Sequence, residues 1–159
     1  MCEYISISEN RLHHILGVAR ECYSIAKTKG YDENFCKRMF MIGWIHDVGY
    51  EFSKSQSEHP TVSEELLKLI NVTNNTKESS KVLHSIGKHG LYTKTKSAEW
   101  VILNMADMTI DSKGNKVGVM QRFEDIKNNY GEFSNQYLTA CDICIQIGLI
   151  DKNTIVREM

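Results

Sequence analysis

The chain has 159 residues, of which 42% are hydrophobic and 25% charged, and its formal net charge is −1. This composition is typical of an ordinary folded protein, and the length fits one domain spanning residues 1–159. The near-neutral charge excludes the strongly basic surface of a protein that binds duplex nucleic acid or an anionic membrane. No stretch approaches the roughly 18 apolar residues of a membrane-spanning helix.

The predicted elements are all helical. Proline occurs once, at Pro60, and apolar residues recur at three and four positions almost throughout, which predicts an all-α protein. Ser8 is the expected N-cap of the first helix, Gly30 its stop, and Asp32 the start of the second. Helices are predicted, in chain order, over residues 9–29, from 32 to the region of 46–49, then over 60–70, 77–88, 97–108, 117–129 and 133–149. Polar connections are expected over 53–58 and 71–76, and a turn over 111–115.

Two helices allow a prediction about burial. The second helix is apolar nearly all round from Met39 to Ile45, so it should be the central, buried helix. The last helix carries a C-x-x-C pattern at Cys141 and Cys144, without a second ligand pair nearby in sequence. Two buried helix cysteines are therefore expected there. Five cysteines without a compact framework, and a start at Met1 without the features of a secretory signal, favour reduced thiols in a cytoplasmic protein.

Metal-capable side chains occur at predicted helix ends and in one loop. Adjacent helical residues point about 100° apart, but near a helix end His46 and Asp47 can lean toward a common point. A carboxylate in so apolar a helix needs a partner, which a metal cation, Arg38 or a lysine of another helix would provide. His13 points away from its neighbour and is expected to be exposed or secondary. The full candidate set is His14, His46, Asp47, His59, His89 and Asp107.

These residues, in this order, resemble the HD superfamily of metal-dependent phosphohydrolases. That family has a histidine on a first helix, an HD doublet ending a second helix, and a late aspartate after an apolar helix. Here the matching segments are 11–19, 45–49 and 105–107, and the resemblance covers residues 11–130. Segments 58–67 and 82–90 resemble the additional ligand segments of binuclear members. The nearest branch by pattern comprises small bacterial proteins that split dinucleoside polyphosphates.

The resemblance implies a single bundle of about seven helices with a metal cleft at one end. One divalent ion would be held by His14, His46, Asp47 and Asp107, and a second by Asp47, His59 and His89. Asp47 would be the bridging, catalytic ligand, and His84 remains an alternative to His89. Iron or manganese suits these ligands best, with cobalt, nickel or zinc also compatible. A bridging hydroxide would attack a phosphoester or phosphoanhydride of a small nucleotide-like substrate.

The chain departs from the family pattern at Tyr50, where members often carry a lysine that meets phosphate. Phosphate contact is expected instead from Lys54, Lys113, Lys116 and Arg122. Two other functions stay open on the same ligand set. One is a di-iron oxygenase acting on a small organic substrate, and the other is a non-catalytic module that binds a nucleotide. The expected partner is a small phosphorylated molecule rather than duplex nucleic acid or a membrane, and a homo-oligomer is compatible with the sequence.

Overall fold

The computed structural model describes residues 7–55, 57–69 and 77–152, and helices dominate all three stretches. Their bounds are α1 (Glu9–Thr28), α2 (Glu33–Ile45), α3 (His59–Leu69), α4 (Lys77–Gly87), α5 (Ala98–Asp107), α6 (Val119–Tyr130) and α7 (Asn135–Gln146). A short 3-10 helix (Tyr50–Phe52) lies between α2 and α3, and one isolated antiparallel bridge joins Ile110 to Lys116. The prediction of an all-α bundle of about seven helices is confirmed. Within these stretches, no helix combines the length and the apolarity that crossing a membrane requires.

Side-chain caps set the helix starts that the sequence predicted. The Ser8 hydroxyl accepts a hydrogen bond from the Arg11 amide (3.2 Å), and the Asp32 carboxylate accepts one from the Phe35 amide (2.9 Å). Both bonds satisfy a backbone N–H that has no partner within its own helix. After α1, Gly30 adopts a φ of 80°, the left-handed conformation that ends helices. The predicted connection over 71–76 lies outside the described residues.

The apolar interior has two parts. The larger cluster lies among α1 to α5 and contains Val18, Cys22, Ala26, Phe35, Cys36, Met39, Ile42, Leu67, Ile86, Ile102, Leu103, Ala106 and Ile110. The smaller cluster joins α6 and α7 to the end of α5, through Met108, Phe123, Ala140, Cys141 and Cys144. The prediction of buried cysteines in the last helix is therefore confirmed. The helical pair α6–α7 forms a wall with its own core beside the five-helix bundle.

The prediction that α2 is the central, buried helix holds for only one side of that helix. Met39 and Ile42 are fully buried, but Met41 is 53% exposed and Trp44 41% exposed. The apolar side chains of α2 exceed what its contacts with neighbouring helices can cover. The central position belongs to α5, where Trp100, Ile102, Leu103, Asn104 and Ala106 are each no more than 1% exposed.

A close crossing of α1 and α2 brings two candidate ligands together. A Cβ atom on Gly43 would collide with the backbone of Val18 and Ala19, so the two helices meet in direct backbone contact. Helices that cross this closely place the side chains of the facing turns side by side. The rings of His14 and His46 consequently lie with centroids 5.8 Å apart.

Candidate metal centre

The His46-Asp47 pair lies in the turn that ends α2. The helix stops at Ile45, His46 is its C-cap, and the amides of Val48 and Tyr50 bond back to Ile45 and Asp47 as the chain turns. His46 keeps helical backbone angles, and its Nε2 atom nevertheless lies 3.4 Å from Asp47 Oδ1, so both side chains reach one point. The expectation that the pair leans toward a common point agrees with this geometry.

Gly49 fixes this turn against α3. Its amide donates to the Ser63 hydroxyl at 2.8 Å, and a Cβ atom at Gly49 would collide with the backbone of Val62 and Ser63. Because α3 begins at His59, this backbone contact sets the distance between Asp47 and the His59 ring. Only glycine allows that approach.

Two side chains of α5 hold the segment that carries His89. The Trp100 indole N–H donates to the Lys88 carbonyl at 2.8 Å. The Asn104 carbonyl oxygen accepts from the Gly90 amide at 2.7 Å, while its NH₂ donates to the Trp100 carbonyl at 2.8 Å. The backbone on both sides of His89 is thus bonded to the most buried helix of the protein.

Each buried histidine ring is oriented by a backbone carbonyl. The Nδ1 contacts are His14 with Asp111 (3.0 Å), His46 with Gly43 (2.7 Å) and His89 with Ile86 (2.6 Å). A carbonyl oxygen can only accept a hydrogen bond, so Nδ1 must carry the proton in each ring. In a neutral ring that leaves the Nε2 lone pair free to bind another group. Metal-binding histidines in proteins are commonly oriented in this way.

The Nε2 atoms converge on the two aspartates. Asp47 Oδ1 lies 3.4 Å from Nε2 of His46, 3.2 Å from that of His59 and 3.3 Å from that of His89. His14 Nε2 lies 3.0 Å from Asp107 Oδ1. Two triads have ligand atoms within 4.8 Å of one another: His14, His46 and Asp107, and His46, Asp47 and His89. We call the six residues His14, His46, Asp47, His59, His89 and Asp107 the histidine–aspartate cluster.

Burial and the neighbouring groups act against each other on the charge states in the cluster. Burial lowers the pKa of His46 to about 4, because the interior disfavours the charged ring. Burial opposes ionisation of Asp47 too, but the surrounding histidines, His46 first, outweigh it and hold its pKa well below the usual range. Burial likewise disfavours a charged His89, yet its hydrogen bond to Asp47 raises its pKa. A neutral imidazole and an ionised carboxylate are the forms that bind metal ions.

Two contacts within the cluster indicate that it fits a metal ion. His46 Nε2 is buried and has no hydrogen-bond partner, a condition that costs roughly 1–3 kcal/mol for a polar atom. The Nε2 atoms of His59 and His89 lie only 2.9 Å apart, so a proton or another cation must lie between their lone pairs. A divalent ion would satisfy the first atom and replace the proton at the second position. Clusters of this composition can hold a metal ion, and mixed imidazole and carboxylate ligands suit a transition metal.

Asp47 also has a cationic partner that the sequence did not identify. Arg11 Nη1 lies 2.6 Å from Asp47 Oδ2, so one carboxylate oxygen faces the histidines and the other faces the arginine. Arg38, one of the alternatives considered, instead pairs with Glu78 and Glu99. Arg11 lies three residues before His14, so both side chains are on one face of α1. This spacing could have predicted that Arg11 lies beside the cluster.

The cluster opens into a cleft of ≈ 410 Å³ lined by residues of α1, α3, α5, α6 and α7. Of the four residues expected to contact phosphate, Arg122 is the one found in the wall of this cleft. Lys116 instead pairs with Glu21 at 2.7 Å, and Lys54 and Lys113 are exposed outside the wall. The expectation for the three lysines therefore has no support in the geometry.

The other histidines lie apart from the cluster. His84 Nε2 lies 3.2 Å from the Thr95 carbonyl and 3.3 Å from the Thr93 hydroxyl, in the connection before α5. Of the two alternatives at the end of α4, the geometry thus places His89 with the other ligands. His13 is exposed, as expected.

No protein-family model, curated protein or solved structure gives a significant match to the chain. Its function is therefore inferred from the histidine–aspartate cluster, from the cleft beside it, and from the resemblance carried by the ordered ligand segments.

Proposed function

We propose that this protein is a metal-dependent phosphohydrolase of the HD superfamily. Its substrate would be a small nucleotide-like molecule with a phosphoester or phosphoanhydride bond. The observation that carries the proposal is the cluster itself: imidazole Nε2 atoms from four segments of the chain converge on two aspartates beside an open cleft. The order of these residues along the chain is the order that the HD resemblance requires.

The ligands divide between two divalent ions in this proposal. His14, His46 and Asp107 would hold one ion, and His59 and His89 the second, with Asp47 shared between them. Iron or manganese is the first expectation, because imidazole and carboxylate ligands together suit these metals. Such ions neutralise charge on a phosphoryl group and lower the pKa of a bound water molecule.

Contacts within the chain would orient the metal ligands and the attacking water. The carbonyl contacts of His14, His46 and His89 hold their rings fixed, so the ligands need little rearrangement. Asp47 is buried and its pKa lies well below the usual range, so its ionised carboxylate would orient the nucleophilic water. Burial raises the pKa of Asp107, but His14 and His46 outweigh burial and lower it, and the positive charge of Arg122 in the cleft wall adds to that lowering.

The remainder of the cleft suits an organic group attached to the phosphate. Its wall combines apolar side chains, such as Ile126 and Ile143, with the amides of Asn129 and Gln136. Apolar surface with a few polar groups is typical of pockets that bind small heterocyclic molecules. A volume of ≈ 410 Å³ is within the range of such pockets. These features favour a nucleotide-like substrate over inorganic pyrophosphate alone.

The experiment is metal analysis followed by a substrate panel. Protein purified without a chelating tag should contain two transition-metal ions per chain. Manganese- or iron-loaded protein should then release phosphate or nucleotide from at least one of a dinucleoside polyphosphate, a nucleoside monophosphate and a cyclic nucleotide. The dinucleoside polyphosphate is the first candidate. The matched variant His13→Ala, exposed and next to a ligand, should keep the activity.

Three outcomes would overturn the proposal. A single ion that leaves His59 and His89 without a role would remove the binuclear centre. No hydrolysis together with oxygen uptake on a small organic substrate would make the protein an HD-type oxygenase. Tight nucleotide binding without turnover of any panel member would indicate a regulatory module.

A further inference from the structure

Arg11 occupies an unusual position between the cluster and the cleft. Its Nη1 atom lies 2.6 Å from Asp47 Oδ2, and its guanidinium carbon lies 3.5 Å from the centre of the Tyr50 ring. The side chain is 21% exposed and forms part of the cleft wall, as does Tyr50. The arginine is thus held on one edge by a carboxylate and on one face by an aromatic ring at the wall of the cleft.

The hydrogen-bonding capacity of Arg11 is largely unused. A guanidinium carries five N–H groups in one plane. Among the residues that the structure describes, Asp47 is the one side chain bonded to it, through a single Nη1 contact. Contact with the Tyr50 ring uses the face of the group, so the remaining donors of its edge stay available to a ligand in the cleft that Arg11 lines. A planar set of donors matches the oxygens of a phosphate.

The charges around Arg11 also favour a phosphate as the ligand. The carboxylate of Asp47 is paired with Arg11 through a contact of 2.6 Å. If the cluster held divalent ions, their charge would offset that of Asp47 and Asp107, and the charge of Arg11 at the wall of the cleft would be less fully compensated. Anions are then attracted to the point where Arg11 and the cluster meet.

We propose that Arg11 binds a phosphate group of the substrate beside the metal centre, and that Tyr50 is the positioning residue that holds its guanidinium. This inference rests on the proposed function and names a residue for it. Tyr50 lies between Arg11 and His59, whose ring centroid is 5.5 Å from that of Tyr50. The tyrosine therefore sets the arginine at a defined distance from a candidate metal ligand.

The test measures binding of inorganic phosphate to the manganese-loaded, full-length protein by calorimetry. Arg11→Met should weaken phosphate binding about 10- to 100-fold, the loss typical of charge-assisted hydrogen bonds. Arg11→Lys keeps the charge but not the planar donors, so it should weaken binding about 3- to 10-fold. Tyr50→Phe should stay within about twofold of the unmodified protein, since it keeps the ring, whereas Tyr50→Leu should resemble Arg11→Lys. The matched control is Arg20→Met, which removes an exposed arginine of the same helix.

Manganese affinity separates this role from a purely structural one. Arg11→Met should bind manganese as tightly as the unmodified protein or more tightly, because a competing cation has left Asp47. Weaker manganese binding with unchanged phosphate affinity would overturn the proposal, since Arg11 would then serve only to support Asp47. If circular dichroism shows that Arg11→Met does not fold, Arg11→Lys and Tyr50→Leu decide the question by the same measurements.

The readout also distinguishes this inference from the proposed function. Phosphate binding requires no turnover, so binding that depends on Arg11 in a protein that hydrolyses nothing would sustain the anion site and refute the reaction. Hydrolysis with an unchanged KM in Arg11→Met would sustain the reaction and refute the assignment of Arg11.

Discussion

Asn104 offers a sharp test of how the structure holds His89. The change Asn104→Leu keeps the approximate size of a side chain that is 1% exposed, and it removes two hydrogen bonds. The greater loss is at the Gly90 amide, which is left without its acceptor at a cost of roughly 1–3 kcal/mol. We expect the metal-free protein to lose about 2 kcal/mol of unfolding free energy, which corresponds to about 4–8 °C in Tm for a protein of this size.

The second effect of Asn104→Leu is on metal binding. His89 directly precedes Gly90, so loss of the hydrogen bond at the Gly90 amide should make the His89 ring less well ordered. That ring and the ring of His59 both contact Asp47. Residues that orient metal ligands typically change affinity by about 10- to 100-fold, and we expect manganese affinity to fall by at least about tenfold. Thermal unfolding and manganese titration measure the two effects, with the exposed Asn128→Leu as control. A lower Tm with unchanged manganese affinity would refute the view that Asn104 positions His89.

Three further predictions follow from other contacts. Asp47→Ala should abolish hydrolysis and reduce metal content at both positions, as measured by elemental analysis, whereas His13→Ala should do neither; equal damage from both would mean that the ligand face of α1 is wrongly assigned. Gly114→Ala should cost about 2 kcal/mol or more in urea unfolding, because Gly114 has a φ of 80° and its Cβ would collide with the His13 carbonyl; a loss under about 0.5 kcal/mol would contradict this packing. Cys22 and Cys144 should resist iodoacetamide at pH 8 in the native protein and react in urea, because burial raises their thiol pKa values, that of Cys144 to about 12. Mass spectrometry measures this labelling, and native-state modification at the rate of a free thiol would exclude their burial.

Local signals predicted the helices and most of the cluster. Caps such as Ser8 and Asp32 depend on side chains within three residues, so the sequence contains the whole interaction. The place of His46 and Asp47 at a helix end follows from the apolar pattern before them and Gly49 after them. These features require no knowledge of how helices pack, which is why they could be predicted.

The features that escaped prediction depend on distant parts of the chain. Arg11 meets Asp47 across 36 positions of sequence, and the contact exists because α1 and α2 cross at Gly43. Lys116 does not line the cleft, because it forms an ion pair with Glu21 on α1. The exposure of Met41 and Trp44 likewise depends on how many helices pack against α2. Apolar periodicity cannot predict that number.

The carbonyl contacts of the histidine rings have a consequence for how the protein matures. Small zinc domains fold only when their ion binds, since they have too little core of their own. Here a core spans five helices, backbone carbonyls orient His14, His46 and His89, and Arg11 partners Asp47, all from within the chain. Folding should therefore not require a metal ion, and an ion bound by the cluster would enter a cleft that is already formed. If the cluster does hold a metal ion, the metal that it takes up would depend on supply, and one ion could later be exchanged for another without unfolding.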